Sequence, residues 1–170
     1  EYQFMSWLPD GRRILISGHE TEQGSRLYVM DVPGGRPKAI TAEGVSLYNW
    51  KPVSPDGRFA VAVAGDGTLA LYPIEGGDPR PLPGVTRGDV PVRWSADGRS
   101  IYVISGSSMP AQVHLVDVAT GDRRPWRTLT PPDPAAILQM GPVLVTGDGR
   151  SYVYSYRRQL DDLLVVNGLE

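Results

Sequence analysis

Few side chains in this sequence are of a type and spacing that invite a chemical reading, and the histidines come first. His19 lies in "GHETEQGS" beside Glu20 and Glu22, and imidazole with carboxylate is a common ligand pairing for zinc. A closed centre needs further ligands, however, and the chain holds only one other histidine, His114, and no cysteine. Calcium fits no better, because no Asp-x-Asp-x-Asp-Gly ladder is present. The expectation for 18–25 is a solvated loop without a resident metal. His114, in "QVHLVDV", is expected to pack as a structural side chain rather than to shuttle protons.

Other patterns resolve in the same direction. "GDGTLA" places Gly65, Gly67 and Ala70 in formal register with a dinucleotide fingerprint. That fingerprint works where a strand hands over to a helix whose N-terminus faces the pyrophosphate. Here it runs into "LALYPI", a strand-like run, so a hairpin turn is expected and no cofactor is assigned. No Gly-x-Ser-x-Gly elbow, Walker loop or His-Glu-x-x-His occurs. Arg123, Arg124 and Arg127 flank Trp126, a composition that can stack on a nucleic-acid base. On an outer strand the same charges protect an edge, which is the reading preferred here. Arg157 and Arg158 with Asp161 and Asp162 form a mixed-charge connection. No catalytic residue is expected in the chain.

Composition sets the frame for these residues. A chain of 170 residues buries enough surface for an ordinary core without metal or disulfide staples. A formal charge of −2 and a pI near 5.7 supply no concentrated basic surface, so nucleic acid is not an expected partner. The apolar runs are short, and no membrane insertion by this segment is expected. The chain opens on Glu1 without a signal-peptide pattern, as expected of a processed form or an excised segment. Absence of cysteine fits either redox compartment. With 20 Gly and 16 Pro, about a fifth of the chain, corners must be frequent and long helices scarce.

The corners repeat. Asp-Gly-Arg occurs at Asp10-Gly11, Asp56-Gly57, Asp97-Gly98 and Asp148-Gly149, at spacings of 46, 41 and 51 residues. After each comes a strand-like run: "RILIS", "FAVAVA", "SIYVIS" and "SYVYSY". A second run follows a loop: "RLYVMDV", "TLALYPI", "QVHLVDV" and "DLLVVNG". The first three copies then carry a Gly turn and a short strand bearing Arg or Pro. A four-strand unit at a period of roughly 40 to 45 residues is the signature of a propeller blade. The chain is therefore expected to be all-β, a single domain over 1–170 of about four antiparallel blades, near 1–43, 44–85, 90–130 and 137–170. In the third strand of a blade both alternating sets are largely apolar, as in Leu27 and Val29 with Tyr28 and Met30, so that strand should be covered on both faces. The last unit ends before a fourth strand, leaving an edge that calls for pairing with further blades or another chain.

These corners, best seen in "WLPDGRRILIS" and "WSADGRSIYVIS", resemble TolB-like, WD-type β-propeller repeats carrying a Trp-Ser-Pro-Asp-Gly corner. Ala96 and Gly147 stand where that pattern has Pro. The tail from Thr130 to Glu170 resembles the C-terminal end of propeller domains attached to bacterial serine/threonine protein kinases and to some winged-helix regulators. The resemblance implies a kinase or DNA-binding domain upstream, with an extracytoplasmic position expected if the kinase spans a membrane and a cytoplasmic one otherwise. It places no catalytic residue here, since the kinase glycine loop, catalytic Lys and Asp-Phe-Gly match nothing in the sequence.

Topology narrows where binding belongs. The Asp-Gly and Gly-Gly turns gather at one end of the blades and look structural. The connections 18–25, 64–67, 106–111 and 157–161 gather at the other, and differ in length and charge. Rigid scaffolds place recognition on such loops, so His19, Glu20, Glu22, Arg157, Arg158 and Asp161 are the candidate binding residues for a protein or small ligand. The leading expectation is a non-enzymatic sensor or scaffold segment of a larger signalling protein. The alternatives are a propeller gating a peptidase or hydrolase, and a self-standing structural module.

Overall fold

The computed structural model describes residues 2–47, 51–106, 109–133 and 135–160. Strands and no helix occur among them, in four antiparallel sheets that follow one another along the chain. Blade 1 comprises β1 (Tyr2–Trp7), β2 (Arg13–Gly18), β3 (Arg26–Asp31) and β4 (Lys38–Ala39), in that spatial order. Blade 2 comprises β5 (Phe59–Val63), β6 (Leu69–Pro73) and β7 (Arg80–Pro81). Blade 3 comprises β8 (Val90–Trp94), β9 (Ser100–Ser105), β10 (Ala111–Asp117) and β11 (Arg123–Leu129). Blade 4 pairs β12 (Ile137–Val145) with β13 (Tyr152–Arg158).

The expected four strands per unit appear in blades 1 and 3 and are reduced in blade 2. There the first strand survives as two isolated bridges, Ser46 to Val63 and Val53 to Ala60. Pro52 stands beside Val53, and proline donates no ladder hydrogen bond, which weakens the pairing at that point. The third run of the last unit, "DLLVVNG", lies outside the described residues, as do Trp50 and Asp161.

The corner has one construction in all four blades. Gly11, Gly57, Gly98 and Gly149 hold φ between 66° and 71°, a left-handed conformation that costs other residues energy and glycine nothing. The Asp Oδ1 accepts the amide of the residue two ahead: Arg12 at 2.8 Å, Arg58 at 3.0 Å, Arg99 at 3.1 Å and Arg150 at 3.0 Å. A hydroxyl two residues before the Asp completes the turn in blades 2 to 4, where Ser54, Ser95 and Thr146 each donate to the carboxylate at 2.6 Å. Blade 1 has Leu8 there and uses the Arg13 guanidinium instead, with Nε 2.7 Å from Asp10 Oδ2. The recurring aspartates are thus consumed by turn geometry, as expected from their position.

Three apolar clusters fill the junctions between successive blades. Leu15 and Leu27 of blade 1 meet Ala60, Ala62 and Tyr72 of blade 2. Val61 and Leu71 meet Trp94, Ile101, Val103 and Val116 of blade 3. Tyr102, Ile104 and Val113 meet Val143 and Val145 of blade 4. Alternation along one strand therefore sends Ala60 and Ala62 to one junction and Val61 to the next, which explains why both sets are apolar. Side-chain size varies with the junction. Small Ala60 and Ala62 close the first, whereas Tyr152 stacks edge-on to Trp126, ring centroids 5.6 Å apart, at the last.

Candidate functional site

The loops between second and third strands share one end of the stack with the links that lead into each new blade. Two neighbourhoods at this end carry chemistry. The first lies on blade 1, where Tyr2, His19, Glu20, Thr21, Tyr28 and Pro37 line a cleft of about 370 Å³. Two aromatic rings, an imidazole and a carboxylate thus converge, and His19 Nδ1 lies 3.2 Å from the Glu20 carbonyl oxygen. Glu22 is exposed, does not line the cleft, and holds a φ of 66° in the turn that shapes the loop.

The second neighbourhood lies where blade 2 hands over to blade 3. Two clefts, of about 370 and 270 Å³, meet at Arg87. One is walled by Leu69, Ala70, Pro81, Leu82 and Val85, the other by Val63, Val90 and Pro91. Both are mostly apolar with one guanidinium at their boundary, a composition suited to a ligand with an apolar body and an anionic group.

Beneath this groove sits a buried polar staple. Asp89 is 6 % exposed and takes both arms of Arg123, at 2.7 and 3.1 Å. Its Oδ2 also accepts the Thr86 amide at 2.7 Å and the Thr86 hydroxyl at 3.1 Å. Burial pushes the Asp89 carboxyl up, but the Arg123 and Thr86 hydrogen bonds outweigh it and hold the group below the ordinary carboxylate range. Arg123 also donates to Ser105 Oγ, which lies 3.1 Å from His114 Nδ1. Burial, and then the Arg123 charge, hold His114 below its usual range, so the neutral ring is favoured. His114 is therefore half-buried and held within this network.

Arg123 departs from the sequence expectation. It lies on the outer strand β11, as anticipated, but it is turned inward to Asp89 rather than guarding the edge. Arg127 does stay on the surface, its guanidinium 5.8 Å from the Trp126 ring and 5.5 Å from the Tyr152 ring. The Trp126 ring itself is engaged by Tyr102 and Tyr152, which leaves it committed to the last blade junction.

The candidate residues do not form one constellation. His19 and Glu20 share the blade 1 cleft, whereas Arg157 and Arg158 belong to β13 of blade 4. Arg158 is engaged with Asp133 at 2.6 Å. Arg87 and Asp89 escaped the sequence reading because they belong to a link between units. The legible signal was "TRGD", a hydroxyl residue three before an aspartate, which is a local side-chain-to-backbone turn pattern.

No protein-family model matches the sequence, and no curated protein matches it. Solved structures do. TolB from Acinetobacter baumannii superposes with a TM-score of 0.65 at 17% identity, over 95% of this chain and 39% of that one. A putative TolB from Agrobacterium tumefaciens gives 0.63 at 18%, over 95% and 62%. The fold is a TolB-like run of propeller blades. A structure from a study of two prolyl endopeptidases matches as well, at 0.59 and 16%, over 92% of this chain and 26% of that one. The chain thus spans 39% and 62% of the two TolB chains, and at these identities the likeness concerns architecture alone.

Proposed function

We propose that this TolB-like segment is a non-enzymatic recognition module, a sensor or scaffold part of a larger signalling protein, which binds a protein or small ligand through its variable-loop end. One observation carries the reading. The loop end holds clefts with charged side chains among their linings, Glu20 on blade 1 and Arg87 between blades 2 and 3. At the opposite end the four corner aspartates are spent on their own turns. Attachment to a bacterial serine/threonine kinase rests on the resemblance of the tail from Thr130 to Glu170. The test is affinity capture with the natural full-length polypeptide, followed by binding measurements on whatever is recovered. Glu20→Arg or Arg87→Glu should weaken binding about tenfold or more, and Arg12→Glu at the turn end should not. The reverse pattern overturns the reading.

A second reading follows from the prolyl endopeptidase likeness, in which the blades screen access to a catalytic domain elsewhere in the polypeptide. A Gly-x-Ser-x-Gly elbow beyond these residues, and labelling of the natural polypeptide by a serine-reactive fluorophosphonate, would favour it over the first.

A further inference from the structure

The two clefts that meet at Arg87 are shallow. Thr68 and Pro81 in the first, and Gly88 and Val90 in the second, are exposed, so an occupant lies across the surface rather than being engulfed. Their order is apolar, cationic, apolar. Leu82 and Val85 wall the first, Val63 and Pro91 the second, and Arg87 lines both. Taking the loop-end recognition proposed above as its basis, we infer that this groove seats an extended peptide segment of a partner protein, in which an Asp or Glu is flanked two residues away on each side by apolar side chains.

Strand periodicity sets that spacing. In an extended chain the side chains at alternate positions share one face, about 7 Å apart, and adjacent ones point to opposite faces. A carboxylate on Arg87 therefore sends the side chains two residues before and after it into the two apolar clefts. A fatty carboxylate carries its charge at one end and would leave one cleft unfilled. The main chain of the groove is also open to a second backbone, since a β-carbon on Gly88 would meet nothing within 4 Å.

The surrounding carboxylates leave the cation a role toward a ligand. Asp89 is buried and turned to Arg123 and Thr86. Asp66 feels the Arg87 charge, but only behind the Thr68 hydroxyl and amide, which it accepts at 2.7 and 2.9 Å. The link that carries Arg87 is strapped to blade 3 on both sides. Arg123 donates to the Gly84 carbonyl at 3.2 Å, and the Gly84 main chain packs so closely on Gly121 that neither position has space for a β-carbon. The cation is thus presented from a fixed loop, which lowers the ordering cost of binding.

Fluorescence anisotropy with the natural full-length polypeptide and three labelled, end-blocked peptides tests this. The first is Ser-Leu-Ser-Asp-Ser-Leu-Ser, the second has Asn in place of Asp, and the third is Ser-Ser-Leu-Asp-Leu-Ser-Ser, where the apolar residues adjoin the acid. The first should bind saturably below about 1 mM and about tenfold or more tighter than the other two. Arg87→Gln alters an exposed side chain, so it should leave the melting temperature unchanged while removing the preference for Asp over Asn. The inference is overturned if the first peptide shows no saturable binding, if either control binds as well, or if Arg87→Gln keeps the preference. Displacement of the first peptide by an equal concentration of decanoate overturns it too, since an apolar anion alone would then suffice. If the peptides fail while Glu20→Arg still weakens capture of the natural partner, recognition at the loop end stands and only this ligand class falls.

Discussion

The indole N–H of Trp94 reaches across 2.8 Å to the carbonyl of Pro52 and ties the first strand of blade 3 to the corner of blade 2. Both residues are buried, so the bond links two units that are otherwise joined by apolar contact alone at this point. Trp94→Phe keeps most of the apolar surface and removes this bond, while the Pro52 carbonyl retains the Val61 amide at 2.9 Å. A loss of about 0.5–1.5 kcal/mol in unfolding free energy is expected from urea titration, with an unchanged m-value.

Asp89 and Arg123 form the buried charge pair of the 2–3 junction, with side chains 2 % and 22 % exposed. Arg123→Met strands the carboxylate and should cost about 3–5 kcal/mol by the same titration. Adding Asp89→Leu removes the stranded charge and should recover part of that loss. Recovery stays incomplete because the Thr86 amide then loses its acceptor.

Glycine at the blade 3 corner is required by backbone conformation rather than by space. At Gly98 φ is 70°, and an added β-carbon would meet Pro55 at ordinary contact distance. Gly98→Ala should therefore destabilise by about 1–2 kcal/mol in thermal melts. Gly98→Asn should cost less, because asparagine enters the left-handed region more readily.

The corner carboxylates give the stability a defined pH dependence. The Arg12 amide, and after it the Arg13 side chain, hold Asp10 at about 2. Asp97 and Asp148 are lowered chiefly by the Ser95 and Thr146 hydroxyls. Each folded-state value lies below the unfolded one, so each contribution is complete above the ordinary carboxylate range and is lost as pH falls through the folded value. The melting temperature should be flat from neutral pH down to about 5 and fall progressively from there toward about 2. Asp10→Asn should flatten that fall.

The repeat makes most of this architecture legible in the amino-acid sequence. "SPDGR", "SADGR" and "TGDGR" spell out a turn, its capping hydroxyl and its left-handed glycine in consecutive letters. The apolar letters of "FAVAV" fall on two junctions because a strand alternates faces. What the repeat could not convey lies in the links between units. Arg123 reads as an edge charge until Asp89, 34 residues earlier, is found facing it. Arg87 acquires its place at a groove only when β7 and β8 are brought side by side. At the start of blade 2, Pro52 beside Val53 lacks an amide donor, which no periodicity records.

Hydrogen exchange of the natural polypeptide, with and without its captured partner, is the most direct test of recognition at the loop end. Protection is expected to rise in 19–25 and 82–89, and to stay unchanged in the corner turns 8–11, 54–57 and 95–98. Protection confined to the corner turns, with 19–25 and 82–89 unaltered, would contradict it.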